Sequence, residues 1–337
     1  MTTVKFVKRD SLANEKSSYK RQTPNNKGIW KDCKFIFNPL VNDYDWLVII
    51  DDIPKILPNR VEKLNCNEDN TILITTEPST ITRYGRGFAK QFKYLITNQE
   101  EKILPHKNSF RMQTGNIWMY GKSYSECLNN SLDIAPQKKN IISTICSNKA
   151  MGHTLHKKRL EFTEYMQREI DELVRYGWGF SPIEKKYDAI DDFQFHVCIE
   201  NYIAPHVWTE KLADTFLGYS IPIYYGCPNI FEYFPEDSIV LIDLDDFEGS
   251  LSKIKKIIST PGEYERRFES LKEARRRVLE EYNIFELVHK IISKSPQNKH
   301  SKGSKKIYGR RAMRIRYLPD LFRFIYFRIK NFIKNYI

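Results

Sequence analysis

The sequence predicts an α/β protein built as two Rossmann-like domains in tandem that face each other across a cleft, followed by a C-terminal basic amphipathic helix. Three observations support this. Short, continuous apolar runs alternate with helix-compatible connections, the pattern of buried parallel strands in βαβ units. The 337 residues suffice for two such domains and are too many to sit comfortably in one. From Leu318 to Tyr336 the pattern changes to apolar residues at three- and four-residue intervals among arginines and lysines. The expected borders are 1–135 for an N-terminal Rossmann-like domain, 136–295 for a C-terminal Rossmann-like domain, and 296–337 for the tail.

Taken in order, Val4 to Val7 is a first short strand, Tyr19 to Asp32 reads as loop, and Phe35-Ile36-Phe37 is a strand stopped by Asn38-Pro39. Trp46 to Ile50, Thr71 to Thr76 and Tyr94 to Thr97 are apolar runs bounded by polar residues, as strands buried on both faces should be. Leu132 to Asn140 reads as an interdomain linker. A second series follows: a strand at Asn140 to Cys146, a long helix from Lys157 to Tyr176, a strand at Phe193 to Ile199, a helix at Glu210 to Leu217, and strands at Ile221 to Tyr225 and Ile239 to Ile242. Helices at Glu248 to Ile258 and Tyr264 to Tyr282 close it, the second with acids in its first turn. Asn298 to Gly303 reads as a polar, flexible stretch.

Hydrophobic residues at 41% and charged residues at 28% describe a globular chain with a core. The net charge of +12 is concentrated in the tail, where residues 301–337 carry eleven Lys or Arg against Asp320, so the body is nearly neutral. That distribution, with no reader motif, argues against nucleic acid. The six cysteines lack CxxC spacing and no secretory signal pattern opens the chain, which points to free thiols in a reducing cytosol. The sequon at Asn129 is then incidental, and no apolar run is long enough to span a bilayer.

Chemistry concentrates between Phe193 and Phe234. There an apolar strand ends in Glu200-Asn201, a loop leads to Thr209-Glu210-Lys211, and a helix and second strand close on Gly226. Polar residues therefore gather at element ends, where open α/β sheets bind ligands. The ordered run Ile199-Glu200-Asn201, Trp208 to Ala213 and Pro222 to Gly226 resembles the donor-binding motif of glycosyltransferase family 10, the α-1,3-fucosyltransferases. The similarity extends from Tyr176 to about Phe247 and thins over the first 130 residues. Where the family has a serine after the Glu-Asn pair and a tyrosine shortly before Thr-Glu-Lys, this chain has Tyr202 and His206-Val207-Trp208.

The resemblance implies a GT-B fold and an inverting transferase that moves L-fucose from GDP-fucose to a hydroxyl of a galactoside- or N-acetylglucosamine-containing surface glycan, with no obligatory metal. A leaving nucleoside diphosphate gains charge as the glycosidic bond breaks and needs cations against it. Lys211 supplies one and Arg159 a second, with Lys158 as the adjacent competitor. Glu210 looks like the carboxylate that holds the ribose hydroxyls, and Glu200 and Asn201 stand beside it within reach of donor sugar or base. Glu77, at a strand end before Pro78-Ser79, is similar to the family's glutamate ahead of a turn and is the candidate base for the acceptor hydroxyl, with Asp51 and Asp52 as alternates.

Asp243-Leu244-Asp245-Asp246 imitates a metal-binding DxD, but its place matches the family's Asp-Phe segment. His153 and His156 lack a third partner, so no metal site is expected.

In the tail, Leu318, Leu321, Phe322, Ile325, Ile329, Phe332, Ile333 and Tyr336 share a helical face opposite Arg323, Lys330 and Lys334, with Phe327 out of place on the cationic side. Such a helix, here within 310–337, lies on an anionic membrane surface. The expected protein is thus cytoplasmic, peripheral on the inner face of the cytoplasmic membrane, with a nucleotide sugar and a glycan acceptor, lipid-linked ones included, as partners. Two alternatives stand beside it: a transferase of the same fold using another nucleotide sugar, and a non-catalytic membrane-docked scaffold that binds sugar nucleotides.

Overall fold

The computed structural model describes residues 1–13, 17–148, 155–296 and 305–336. His153 and the stretch Asn298 to Gly303 lie outside these. The chain divides into two compact units, one formed by residues 1–115 and 282–337 and the other by 116–281.

The first unit begins with strands β1 (Thr2–Lys8), β2 (Ile29–Trp30), β3 (Cys33–Ile36), β4 (Trp46–Ile50), β5 (Val61–Lys63), β6 (Thr71–Thr75), β7 (Tyr94–Thr97) and β8 (Ser109–Arg111), with a single-turn helix α1 (Arg86–Ala89) before β7. Seven of these strands form a sheet in the order β2-β3-β1-β4-β6-β7-β8. All its pairings are parallel except β2 with β3. Every residue of β4 and β6 is buried, which is why both read as unbroken apolar runs. Instead of the expected loop, Tyr19 to Asp32 forms two 3-10 turns and β2.

The second unit contains α2 (Tyr124–Asn129), β9 (Asn140–Ile145), α3 (His156–Glu169), β10 (Leu173–Tyr176), β11 (Phe193–Ile199), α4 (Glu210–Leu217), β12 (Ile221–Tyr225), β13 (Val240–Leu241), α5 (Phe247–Ser259) and α6 (Glu263–Arg276), the last running into a π-turn at Arg277–Glu281. Its sheet is fully parallel, in the order β10-β9-β11-β12-β13. The long helix expected to reach Tyr176 stops at Glu169, and Leu173 to Tyr176 becomes the edge strand β10. Ile170 takes an extended conformation there, and Leu173 and Arg175 alternate inward along β9, a period of two that a helix reading overlooks.

The chain then returns to the first unit through α7 (Ile284–Lys294), β14 (Lys306–Tyr308), α8 (Arg310–Arg316) and α9 (Leu318–Tyr336). The units therefore do not divide at the expected borders of 135/136 and 295/296. Aromatic packing explains α7. Phe285 sits among Phe6 (5.3 Å between ring centroids), Phe35 (4.6 Å) and Phe37 (6.1 Å). Trp30 Nε1 donates to Glu286 at 2.8 Å. β14 pairs antiparallel with β5, and Ile307 joins the core cluster around Leu47, Leu73 and Phe88.

α9 docks through an unexpected face. Asp320 accepts from the backbone amides of Arg86 (3.0 Å) and Gly87 (2.7 Å), so its carboxylate closes the N-terminus of α1. Phe327, the residue out of place in the apolar pattern, is only 9% exposed and lies under the Arg83 guanidinium, 5.1 Å from the ring centroid. Asp320, Phe324 and Phe327, at helical spacing, form the docking side. The stripe of Leu318, Phe322, Ile325, Ile329 and Phe332 faces outward, with Phe322 66% exposed.

Asp320→Ala is expected to destabilise the first unit by about 1–2 kcal/mol, the range for a lost helix cap. Phe322→Ser should change stability by no more than about 0.5 kcal/mol. Denaturant titration of the two variants checks both, and equal effects would contradict the docking face.

Candidate functional site

In the second unit a cavity of about 280 Å³ opens at the ends of the parallel strands, lined among others by Arg159, Lys186, Asn201, Glu210, Lys211 and Asp214. Local rules bring these residues there. Thr209 is the N-cap of α4, its hydroxyl accepting from the Lys211 amide at 3.3 Å, so Glu210 and Lys211 occupy the first turn. Glu200 directly follows β11 and points inward, its carboxylate accepting from the Thr209 amide (2.7 Å) and the Thr209 hydroxyl (2.7 Å). Gly226 makes room for it, since a Cβ there would lie 2.6 Å from Glu200 Cγ and 2.4 Å from the Tyr224 hydroxyl.

Glu200 is 1% exposed and does not line the cavity. It braces the wall from behind. Burial pushes its carboxyl above the usual range, although Lys211 at 3.6 Å opposes the shift. Glu210 behaves in the opposite way. Burial would raise its carboxyl, but Lys211 (3.2 Å) and Lys186 (3.7 Å) outweigh that and hold it below the ordinary value. Lys211 likewise stays protonated, because Glu200 and Glu210 overcome the burial that would lower it.

Arg159, on the first turns of α3, is 8% exposed. Its Nη1 donates to Asn201 Oδ1 at 2.9 Å, while its Nε is buried without a hydrogen-bond partner among the described residues. Asn201 thus aims the guanidinium and leaves donor capacity free. Lys158, the sequence competitor, pairs instead with exposed Asp245 and does not line the cavity. The other acids of the DxD-like run also have local roles. Asp243 accepts from the Asp245 amide at 2.8 Å, and Asp246 caps α5 by accepting from Gly249 at 2.9 Å.

Two lining residues escape sequence reasoning. Lys186 donates to buried Asp214 at 2.7 Å and adds a third cation, while burial raises the Asp214 carboxyl to about 6. Nothing in Glu184-Lys185-Lys186-Tyr187 distinguishes it from Lys185, which is directed at the Tyr187 hydroxyl. Trp178, 77% exposed, stands at the rim on a loop whose Gly177 (φ +127°) would place a Cβ 2.9 Å from the Cys146 backbone. The echo between Tyr84-Gly85-Arg86-Gly87-Phe88 and Tyr176-Gly177-Trp178-Gly179-Phe180 is the signal the sequence offers for this loop.

Glu77 belongs to the first unit, at the end of β6. Its backbone is held, the amide donating to the Tyr84 hydroxyl at 3.0 Å and the carbonyl accepting from Gln99 at 2.9 Å. Its carboxylate makes no hydrogen bond among the described residues, and partial burial and then Asp51 push it above the usual range against Arg310. The alternates are committed elsewhere. Asp51 accepts from the Thr76 amide (2.8 Å), the Thr76 hydroxyl (2.7 Å) and the Tyr84 hydroxyl. Asp52 accepts from the amides of Ile53 and Arg310, each at 2.9 Å.

Residues 135–300, which carry the cavity, match the sequence profile of glycosyltransferase family 10 (fucosyltransferase), C-terminal part. That region belongs to glycosyltransferase family 10. A stretch of 83 residues is 30% identical to the α-(1,3)-fucosyltransferase of Helicobacter pylori, covering 24% of this chain and 17% of that relative's length. Among solved structures, an α-glucosyltransferase in complex with UDP and a mismatched 13-mer DNA matches with a TM-score of 0.55 and 12% identity, over 87% of this chain and all of that one. This likeness places the fold in the GT-B class. An α1,3-fucosyltransferase with GDP-fucose aligns with a TM-score of 0.49 and 15% identity, covering 89% of this chain and 92% of the other.

Glu200→Ala would leave Thr209 without its acceptor and Lys211 without a buried counter-charge. A loss of about 3 kcal/mol is expected, at the lower end for breaking a buried pair. Denaturation of the variant measures it, and a loss below about 1 kcal/mol would show that α4 holds its start without Glu200.

Proposed function

We propose that the protein is an inverting fucosyltransferase, transferring L-fucose from GDP-fucose to a hydroxyl of a galactoside- or N-acetylglucosamine-containing surface glycan. The observation that carries this reading is the convergence of Arg159, Lys186 and Lys211 on one cavity within the family-matched region, with the Arg159 Nε left without a partner among the described residues. Three cations in a half-buried pocket suit a diphosphate, whose charge grows as the sugar leaves. Arg159 offers a planar fork to two phosphate oxygens, oriented by Asn201. Glu210, kept ionised by its two lysines, accepts hydrogen bonds from the ribose hydroxyls. Trp178 offers an aromatic face to the nucleobase. Glu200 acts through Thr209 as a positioning residue.

Glu77 serves as the base. Its unengaged carboxylate and upward-shifted pKa suit a group that must take the acceptor proton near neutrality. The acceptor oxygen then bonds to the anomeric carbon as the bond to GDP breaks on the opposite face, and the diphosphate leaves against the cations. No metal is required for this balance of charge.

The protein also works at an anionic membrane surface, on the cytoplasmic side, where lipid-linked acceptors are presented. Among the described residues no helix is long and apolar enough to cross a membrane. The outward stripe of α9 supports a peripheral attachment, since it sets Phe322, Ile325, Ile329 and Phe332 into solvent beside arginines and lysines.

Glu77→Gln should lower turnover by about 10²- to 10⁴-fold with GDP affinity nearly unchanged, whereas Lys211→Ala should weaken GDP binding about tenfold or more. Calorimetry with GDP and transfer assays with GDP-fucose separate the two, and full activity of Glu77→Gln would remove it as base. Replacing Phe322, Ile325 and Phe332 by serine should abolish sedimentation with phosphatidylglycerol vesicles while the melting temperature holds. Unchanged sedimentation would assign attachment elsewhere.

A further inference from the structure

A second cavity, of about 210 Å³, lies wholly within the first unit, where α9 meets the segments around Arg83 and Lys102. Arg83, Arg86 and Lys102 line it from the body, and Arg314, Arg323 and Lys330 from the returning helices. The lining carboxylate, Asp320, does little to neutralise them, because its oxygens are engaged by the amides of Arg86 and Gly87 and stand 3.5 Å from Arg323. Arg86, Lys102 and Lys330 are poorly compensated. Arg86 Nε is buried without a hydrogen-bond partner, and Lys102 and Lys330 have no ion-pair partner among the described residues. The Arg314 guanidinium lies 3.6 Å from the centroid of the Phe324 ring, and burial and then Arg310 push it down to about 10.

We propose that this cavity binds a phosphate group. Gathering like charges in a partly desolvated place costs energy that an anion recovers. Arginine forks match the oxygen pairs of a tetrahedral phosphate, and two lysines can close on the remaining oxygens. Phe324 and Tyr326 wall the site with apolar surface that continues toward the exposed stripe of α9, so the phosphate can be carried by an amphiphile or by a free phosphorylated molecule. The site is separate from the donor cavity and does not rest on the transferase reading.

Calorimetric titration of the full chain with inorganic phosphate tests it, using wild type, Lys102→Gln/Lys330→Gln and Lys211→Ala. The two lysine side chains hold no partner among the described residues, so their replacement should leave the melting temperature unchanged while one phosphate-binding component weakens at least tenfold. Lys211→Ala should retain that component. The proposal is overturned if the double variant binds phosphate as wild type does, if wild type binds none, or if all phosphate binding disappears with Lys211→Ala. Monomeric dihexanoyl-phosphatidylglycerol distinguishes the sources. Affinity at least tenfold above that of inorganic phosphate, lost in the double variant, identifies a lipid headgroup, and equal affinity identifies a free phosphorylated ligand.

Discussion

A carboxylate sealed at the end of β11 governs the second unit. Glu200 has surrendered solvent and found compensation in two hydrogen bonds from Thr209 and in the charge of Lys211. An unpaired buried charge would be costly, so the loop between β11 and α4 is drawn to whatever conformation brings Thr209 to it. Once Thr209 is held it caps α4, and the helix start delivers Glu210 and Lys211 to the cavity. Gly226 is part of the same arrangement, since a side chain there would occupy the place of Glu200. The residues that line the cavity are thus positioned by one that does not.

The first unit contains a comparable buried pair. Lys5, in the middle of β1, donates to Glu62 of β5 at 2.8 Å and to the Val41 carbonyl at 3.0 Å, and the Tyr44 hydroxyl donates to the same Glu62 oxygen at 2.8 Å. Burial lowers the Lys5 ammonium, with Glu62 working against the shift. Both units therefore tie a loop or short strand to the sheet through a desolvated ion pair with added hydrogen bonds, the condition under which such pairs are tolerated.

What was legible in the sequence follows from which forces are local. The strands at Trp46–Ile50 and Thr71–Thr75 are buried on both faces, so their apolar runs mark them directly. The start of α4 was visible because capping acts over three residues. β10 was hidden because an edge strand beside a helix carries both periodicities at once. β5 and β14 are three residues each and exist through pairing across the sequence, which no local pattern announces. Within the site, Glu210 and Lys211 were readable from an ordered motif, while Lys186 depends on Asp214 beneath it, a partner 28 residues away. Phe327 looked like a flaw in an amphipathic helix because the pattern described a single apolar face, whereas α9 buries one side on the body and keeps another free.

The pairing of β14 with β5 also bears on how the protein is made. Residues 116–281 form a continuous unit and can fold as soon as they are synthesised. The first unit cannot be completed until residues 282–337 follow, because Phe285, Ile307 and Asp320 supply its aromatic core, its added strand and the closure of α1. During synthesis its sheet waits with part of its core unfilled, so the earliest-made segment is the last to become stable. Chaperone dependence and aggregation of truncated chains should therefore track the first unit rather than the second.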